Sequence, residues 1–340
     1  MPVTRNDVAR RAGVSPAVVS YVLNDGPRPV SAEARQRVLL AVDELGYRPD
    51  GVARSLRLGR SHMLGLVMPD AANPFFAELA RAVEDAAYQR GYAVVVCNSA
   101  DDPTRERANI VRLAERRIEG LIIVAASPGP DLSYCTDLAI PVVGLDRTPD
   151  EAPVSTIQAD THRGACIGAS HLVEHGHERI AFIGGPDTGV TDARRAGFLA
   201  ALRCHNLHPA AEVRTLFELE SGAAIAPLFL GAHPPTAALV ASDVQAIGLL
   251  AGLHALGAAV PQDVAVLSID GTTAGAFAAP PLSTVAQPIR ELGEGAVAHL
   301  VESPTEVRHR RLDTHLILRA SCGCPQPGSA SAPSQSATAS

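Results

Sequence analysis

The sequence predicts an α/β protein, with a parallel α/β body in two lobes behind a small all-α head. Three observations carry that expectation. From Met63 onward, short apolar runs alternate with amphipathic stretches, the pattern of strands buried on both faces between crossover helices. The first 48 residues show instead three short helical segments punctuated by caps and glycines. The length of 340 residues, at about 100–200 residues per domain, leaves room for a head and two lobes.

In the head, Thr4 followed by Asp7 reads as a capping box with Asp in place of Glu. It opens a helix through Ala12 whose Val8, Ala9 and Ala12 share one face. Gly13 permits a left-handed turn, with Val14 filling the angle behind it. Ser15 caps a second helix, and Pro16 takes its first position, where a missing N–H costs nothing. Val19, Val22 and Leu23 supply the inner face. Ser31 caps a third helix, with Ala34, Val38, Ala41, Val42 and Leu45 as its buried stripe and Gly46 as its end. Two short helices around a tight turn suit a helix-turn-helix, which sets the second helix into the major groove beside phosphates held by Arg and helix ends; a small helical bundle that binds nothing would read the same way.

Charge agrees with that reading. Residues 1–60 hold ten Arg against six acids, a net +4. The whole chain carries −7, so the remainder carries −11, and all 29 basic residues are Arg. A basic head on an acidic body suits a polyanion-binding module joined to one with another task.

In the body, strands are expected at Leu64–Met68, Ala93–Cys97, Leu121–Val124, Val142–Leu145, Ile180–Ile183, Ala237–Ala241 and Val264–Ile269. Helices are expected at Phe75–Arg90, Thr104–Arg117, Arg163–His175, Asp192–His205 and Val244–Leu256. The chain passes between lobes near Asp160, Pro288 and Leu318. Ligands of such folds bind beyond the carboxyl ends of the strands. That rule selects Asp70, Asn73, Phe75 and Phe76 after the first strand and Asp146 and Arg147 after the fourth. In the second lobe it selects Ser242, Asp243 and Asp270. Carboxylates and Arg converging with aromatic rings suit a polyhydroxylated ligand.

Val3-Thr4, Asp7-Val8-Ala9, Ala12-Gly13-Val14-Ser15, Val19-Ser20, Val22-Leu23-Asn24 and Leu45-Gly46-Tyr47-Arg48-Pro49 resemble the DNA-binding head of LacI/GalR-family transcriptional regulators. Val52-Ala53-Arg54-Ser55-Leu56 resembles that family's hinge helix. The resemblance implies DNA-contacting roles for Thr4, Ser15, Pro16, Ala17, Val18, Ser20, Tyr21 and Asn24. It implies the same for Arg28 and Arg35 on phosphates and for Ala53, Arg54 and Leu56 in the hinge, with Leu56 a minor-groove wedge. Two positions depart from the family: Val18 stands where Thr is usual, and Tyr21 where Arg or His is frequent. With no Arg, Lys, Asn or Gln from Ser15 to Leu23, base reading falls to Pro16, Ala17 and Val18 against thymine methyls, with Ser20 and Tyr21 as hydrogen-bonding groups.

The body resembles the same family's effector module, which is similar to periplasmic sugar-binding proteins. Asn73-Pro74-Phe75-Phe76, Leu145-Asp146-Arg147, Arg194 before Gly197-Phe198, Ser268-Ile269-Asp270-Gly271-Thr272 and Gln287-Pro288 carry that likeness. It implies effector contacts from Arg194 and Gln287 as well. Ser242 stands where sugar-binding relatives usually have Asn, so either a water bridges the shorter reach or the effector differs at that end.

The domain reading is therefore a helix-turn-helix domain at 1–48, a hinge at 49–60, a periplasmic-binding-protein-like body at 61–322 and a disordered tail at 323–340. The tail's Pro, Ser, Ala and Thr carry no Leu heptads for a coiled coil. The implied partners are double-stranded operator DNA, a small effector of carbohydrate type and a second copy of the chain. No apolar run reaches the roughly 18 residues of a membrane span, and the N-terminus has no signal-type stretch. Six cysteines without metal-type spacing fit a reduced, cytoplasmic setting. No cofactor is expected: Gly184 to Gly189 lacks the dinucleotide spacing. No metal is expected either, since Cys322-Gly323-Cys324 lacks zinc spacing and Gly176 separates His171 and His175 from His177. An enzyme would need a nucleophile with its base, and none emerges. The competing function, a transport-type sugar-binding protein, would need an export signal and no head.

Overall fold

The computed structural model describes residues 3–23, 28–48, 60–127, 129–147, 153–186 and 189–324. The expected hinge residues Ala53, Arg54 and Leu56, the DNA-contact candidate Asn24 and the tail from 325 lie outside the described residues. The chain divides into two units, Met1–Ser61 and His62–Ser340.

In the first unit, α1 (Arg5–Ala12), α2 (Pro16–Leu23) and α3 (Ala32–Leu45) bury Val8, Ala9, Ala12, Val19, Val22, Val38 and Ala41 in one apolar core. The capping box closes as the sequence implies. Thr4 N donates to Asp7 Oδ2 at 2.9 Å, and Asp7 N donates to Thr4 Oγ1 at 3.4 Å. The Thr4 hydroxyl and the Thr4 N–H, both donating to its carboxylate, hold the Asp7 carboxyl below its ordinary range. Gly13 has φ +64°, a backbone that only a residue without Cβ adopts readily, and this lets Val14 N bond back to the Ala9 carbonyl at 3.0 Å. Arg37 Nε donates to the Ala12 carbonyl at 3.1 Å, fastening α3 to the end of α1.

The second unit runs β1 (Met63–Met68), α4 (Pro74–Gln89), β2 (Ala93–Asn98), α5 (Pro103–Glu115), β3 (Gly120–Val124), α6 (Ser133–Asp137), β4 (Val142–Leu145) and β5 (Ser155–Ala159). It continues with α7 (Thr161–Glu174), β6 (Ile180–Gly184), α8 (Gly189–Cys204), β7 (Ala211–Arg214), α9 (Leu219–Ala223), a 3-10 turn (Ala226–Leu230), β8 (Ala237–Val240) and α10 (Asp243–Ala255). The last part is β9 (Ala265–Asp270), α11 (Thr273–Ala276), β10 (Ser283–Ala286), α12 (Ile289–Glu302), β11 (His309–Leu312) and β12 (His315–Ile317). Every strand and helix expected in the body occurs, with ends shifted by up to three residues.

Among the described residues two six-stranded sheets form, ordered β11-β5-β4-β3-β1-β2 and β12-β10-β9-β8-β6-β7. All neighbouring strands are parallel except β12, which runs antiparallel to β10 with Thr284 opposite Ile317. In the first lobe α4 and α12 cover one face through Leu79, Val83, Leu292 and Val297, while α5 covers the other through Ile110 and Leu113. In the second lobe α7 and α8 cover one face, and α10 with the 3-10 turn covers the other. The buried strands read as continuous apolar runs because both faces are covered.

The chain passes between the lobes at Asp160, at Gln287-Pro288 and at Asp313-Thr314. The third passage corrects the expectation of Leu318. A four-residue strand carrying Arg310 and Arg311 at the exposed sheet edge offers no apolar run to reveal it. Each sheet reverses its strand order beside its first strand, β1 in one lobe and β6 in the other, and the carboxyl ends flanking those points are where a ligand sits in such folds.

Candidate effector cleft and nucleic-acid interface

In the head, Ser15 Oγ accepts from Val18 N at 3.4 Å and so starts α2. Pro16 and Ala17 are exposed at that start, whereas Val18, Ser20 and Tyr21 are half-buried. Val18 packs partly against the head core, which limits what it can offer a base. Arg28 and Arg35 are exposed. Thr4 is engaged in the capping box, its hydroxyl donating to Asp7 Oδ2 at 2.6 Å.

In the second unit, Asn73, Phe75, Phe76, Asp146, Arg147, Arg194, Ser242 and Asp270 line a single cleft. They come from the start of α4, from the ends of β4, β8 and β9 and from α8. Val190 and Phe217 line it too. No sequence signal singled out these two, because a lone Val in a helix and a lone Phe in a loop look like core.

Each wall has its own local cause. Asn73 caps α4, its Oδ1 accepting from Phe75 N at 3.0 Å, which leaves its amide N–H groups to offer a ligand. Phe75 and Phe76 meet edge to face at 5.2 Å. The Arg147 guanidinium lies over the Phe76 ring at 5.7 Å and the Phe217 ring at 5.8 Å, a cation held between two aromatic faces. It also bonds Asp101, a partner that sequence reading missed. The Phe217 ring rests on Gly185, where a Cβ would lie 2.0 Å from the ring. The glycine-rich stretch after β6 thus serves a close approach.

The two cleft carboxylates flank Arg194. Arg194 Nη2 lies 3.6 Å from Asp270 Oδ1 and 3.9 Å from Asp146 Oδ1. Arg194 Nη1 donates to the Ala241 carbonyl. Its Nε is buried without a hydrogen-bond partner among the described residues, an uncommon state for a buried donor. Asp146 has φ +54° and Asp270 φ +145°, conformations that cost a non-glycine residue of order 1–3 kcal/mol and collect at functional sites. Burial pushes the Asp270 carboxyl up to about 8, with Asp243 and Asp146 adding to the rise and Arg194 opposing it. Asp270 therefore holds a proton more readily than an ordinary carboxyl, and in its protonated form it can both donate and accept.

Three expected contacts stand elsewhere. Asp70 is half-buried and accepts from Ala72 N at 2.9 Å, shaping the loop rather than lining the cleft. Asp243 is buried behind the wall, and its oxygens are taken up by Ser268 and Thr284 and by both the N–H and hydroxyl of Thr272. Gln287 supports Asp270, its Nε2 donating to Asp270 Oδ1 at 2.9 Å. Ser242 lines the cleft but is tied to its own helix, donating to Gln245 Oε1 at 2.9 Å and accepting from Gln245 N at 3.3 Å.

No helix among the described residues is long and apolar enough to cross a membrane. A model of bacterial regulatory proteins, lacI family, matches residues 4–50, and one of the periplasmic binding protein-like domain matches residues 169–322. The ribose operon repressor of Escherichia coli (strain K12) is 35% identical over 328 residues, spanning 93% of this chain and 98% of the relative. The crystal structure of the lac repressor dimer bound to operator and the anti-inducer ONPF is similar with a TM-score of 0.86 at 30% identity, over 95% of this chain and 99% of that one. A LacI family transcriptional regulator from Enterococcus faecium with bound ribose is similar with a TM-score of 0.69 at 27% identity, over 76% and 98%.

Proposed function

The chain belongs to the lacI family of bacterial regulatory proteins, and from that premise we propose that it is a cytoplasmic, homodimeric repressor released from operator DNA by a monosaccharide. The observation that carries the effector half is the convergence of Arg147, Arg194, Asp146, Asp270 and three phenylalanines from both lobes on one cleft. Guanidinium and carboxyl groups bond hydroxyls strongly, and the rings offer a face for the apolar side of a sugar. A relative of the same family carries bound ribose, and this supports a monosaccharide as the effector.

Each subunit's head takes one half of a near-palindromic operator, with the N-terminus of α2 against base edges and Arg side chains on phosphates. The sugar, held by both lobes at once, stabilises their closed arrangement and weakens operator binding. A coupling of about 1–3 kcal/mol changes operator affinity roughly 5–150-fold. A transport role accounts for the cleft but leaves the matched head without a task.

The test is a mobility shift with the chain's own upstream DNA, with and without each sugar of a monosaccharide panel, alongside calorimetry on the same panel. The expected result is specific retardation that one sugar reverses, with affinity falling steeply as salt rises because phosphate binding releases counterions. Equal binding to random duplex, with and without every sugar, overturns the reading.

A further inference from the structure

Away from the cleft, the second lobe assembles a group of soft ligands that the sequence scatters over about 150 residues. His171 in the last turn of α7 and His175 at its C-cap lie one turn apart, with ring centroids 4.2 Å apart. The chain returns after β12 to lay Cys324 against both. Cys324 Sγ is 3.0 Å from His175 Nε2 and 3.4 Å from His171 Nε2, and the three ligand atoms lie within 4.8 Å of one another. His177, on the far side of Gly176, turns away to Thr236 Oγ1 at 3.1 Å.

We propose that His171, His175 and Cys324 form a binding site for a zinc-type transition-metal ion, which pins the chain after β12 to the end of α7. Zinc–nitrogen bonds of about 2.05 Å and zinc–sulfur bonds of about 2.3 Å, at tetrahedral angles, set nitrogen and sulfur about 3.6 Å apart. The two sulfur–nitrogen separations need to open by about 0.6 and 0.2 Å to admit the ion. The ring orientation fits as well. His175 Nδ1 lies 3.1 Å from the His171 carbonyl, so it is the nitrogen that carries the proton, leaving Nε2 with a lone pair for the metal. A carbonyl at the remote ring nitrogen is the usual support of a ligating histidine.

The set of two imidazoles and a thiolate selects zinc and related ions over magnesium or calcium, which take oxygen ligands. His171 is buried, whereas His175 is exposed and Cys324 half-buried, so the fourth position faces solvent and water completes the tetrahedron. On binding, the Cys324 thiol gives its proton to solvent and its sulfur takes the metal in its place. Cys322 is buried, and its sulfur accepts from the Ser283 hydroxyl at 3.1 Å, which places it in the lobe's interior.

The experiment uses the full chain, tag removed, reduced and stripped with chelator, and titrated with zinc chloride by calorimetry. Expected are one equivalent per chain, a rise in the thermal midpoint, and no comparable binding of magnesium or calcium. Cobalt(II) in place of zinc is expected to show a sulfur-to-metal charge-transfer band. Cys324→Ser at a half-buried position and His175→Gln at an exposed one are expected to weaken zinc binding at least tenfold and to lose the zinc-dependent rise in midpoint. Cys324→Ser also loses the band, and Cys204→Ser changes nothing. Substoichiometric binding by the unaltered chain overturns the proposal. So does a cobalt band or a zinc affinity that survives in Cys324→Ser, since the ion would then be held by other groups.

Discussion

The two lobes share one strand order and one position for their ligand-facing loops, yet they face the cleft in opposite ways. The first lobe brings rings and a cation: Phe75, Phe76 and an Arg147 whose ion-pair partner Asp101 stands half in solvent. The second brings a buried polar lattice in which Asp270 is supported by Gln287 and by Asp243 N, and Asp243 by Ser268, Thr272 and Thr284. One fold thus supplies a face that can adjust and a face already set. The wall rich in buried hydrogen bonds is expected to carry stability as well as recognition, and the aromatic wall chiefly recognition.

The sharpest way to break that contrast is Asp243→Ala, which strands several buried donors. Removing one partner of a buried charged network costs about 3–5 kcal/mol, read as a fall in the urea midpoint. A loss below about 1 kcal/mol would mean the lattice is not the rigid half. Arg194→Ala comes next. Losing its charged hydrogen bonds, about 1.5–3 kcal/mol each, should lower affinity for the cognate sugar at least tenfold by calorimetry while operator retardation stays. An unchanged sugar response removes Arg194 from the site.

Asp270→Asn tests the set face through pH. The folded chain keeps on Asp270 a proton that the unfolded chain gives up near pH 4. Stability from this group is therefore full below about pH 4 and declines as pH rises toward about 8. The amide imitates the neutral acid, so the variant's unfolding midpoint should decline less across that window. Parallel pH curves for the two proteins would refute the raised carboxyl. The smallest effect is expected from Asp101→Ala in the first lobe. Asp101 is half exposed although Arg147 is buried, so water replaces part of what the pair loses and the cost falls below the roughly 3–5 kcal/mol of a fully buried network; a loss comparable to that of Asp243→Ala would erase the distinction between the lobes.

Much of this was legible in the sequence because apolar runs and caps are local signals. Thr4, Ser15, Ser31 and the glycines at 13 and 46 announce the head, and each apolar strand of the body announces itself. Five strands escaped, and two of them, Ser155–Ala159 and Ser283–Ala286, are buried but rich in polar residues. Their hydroxyls find partners far along the chain: Ser155 with His299 at 2.7 Å, and Thr284 with Asp243 at 2.9 Å. Such pairing removes the cost of burying them without leaving an apolar trace. Edge strands β7 and β11 escaped because half or more of their side chains meet water. In the cleft, the position of a residue after a strand revealed Asn73, Asp146, Ser242 and Asp270. It could not tell Asp243, turned inward to its own hydroxyl partners, from Asp270 beside it. Phe217 was hidden because its role depends on the bare backbone of Gly185, a relation between distant residues.

The three passages between the lobes bear on how specificity could be exchanged between relatives. Neither lobe is a contiguous stretch of gene: the helix Ile289–Glu302 and the strand His309–Leu312 complete the first lobe after the second is almost finished. A crossover that imports residues 169–322 from a homologue carries a helix and an edge strand of the neighbouring lobe with it, so recombinants must match at two sheets at once. Successful shuffling is thereby restricted to parents whose two lobes have diverged together, and a nonsense codon shortly before His309 should open the sheet nearest the amino terminus.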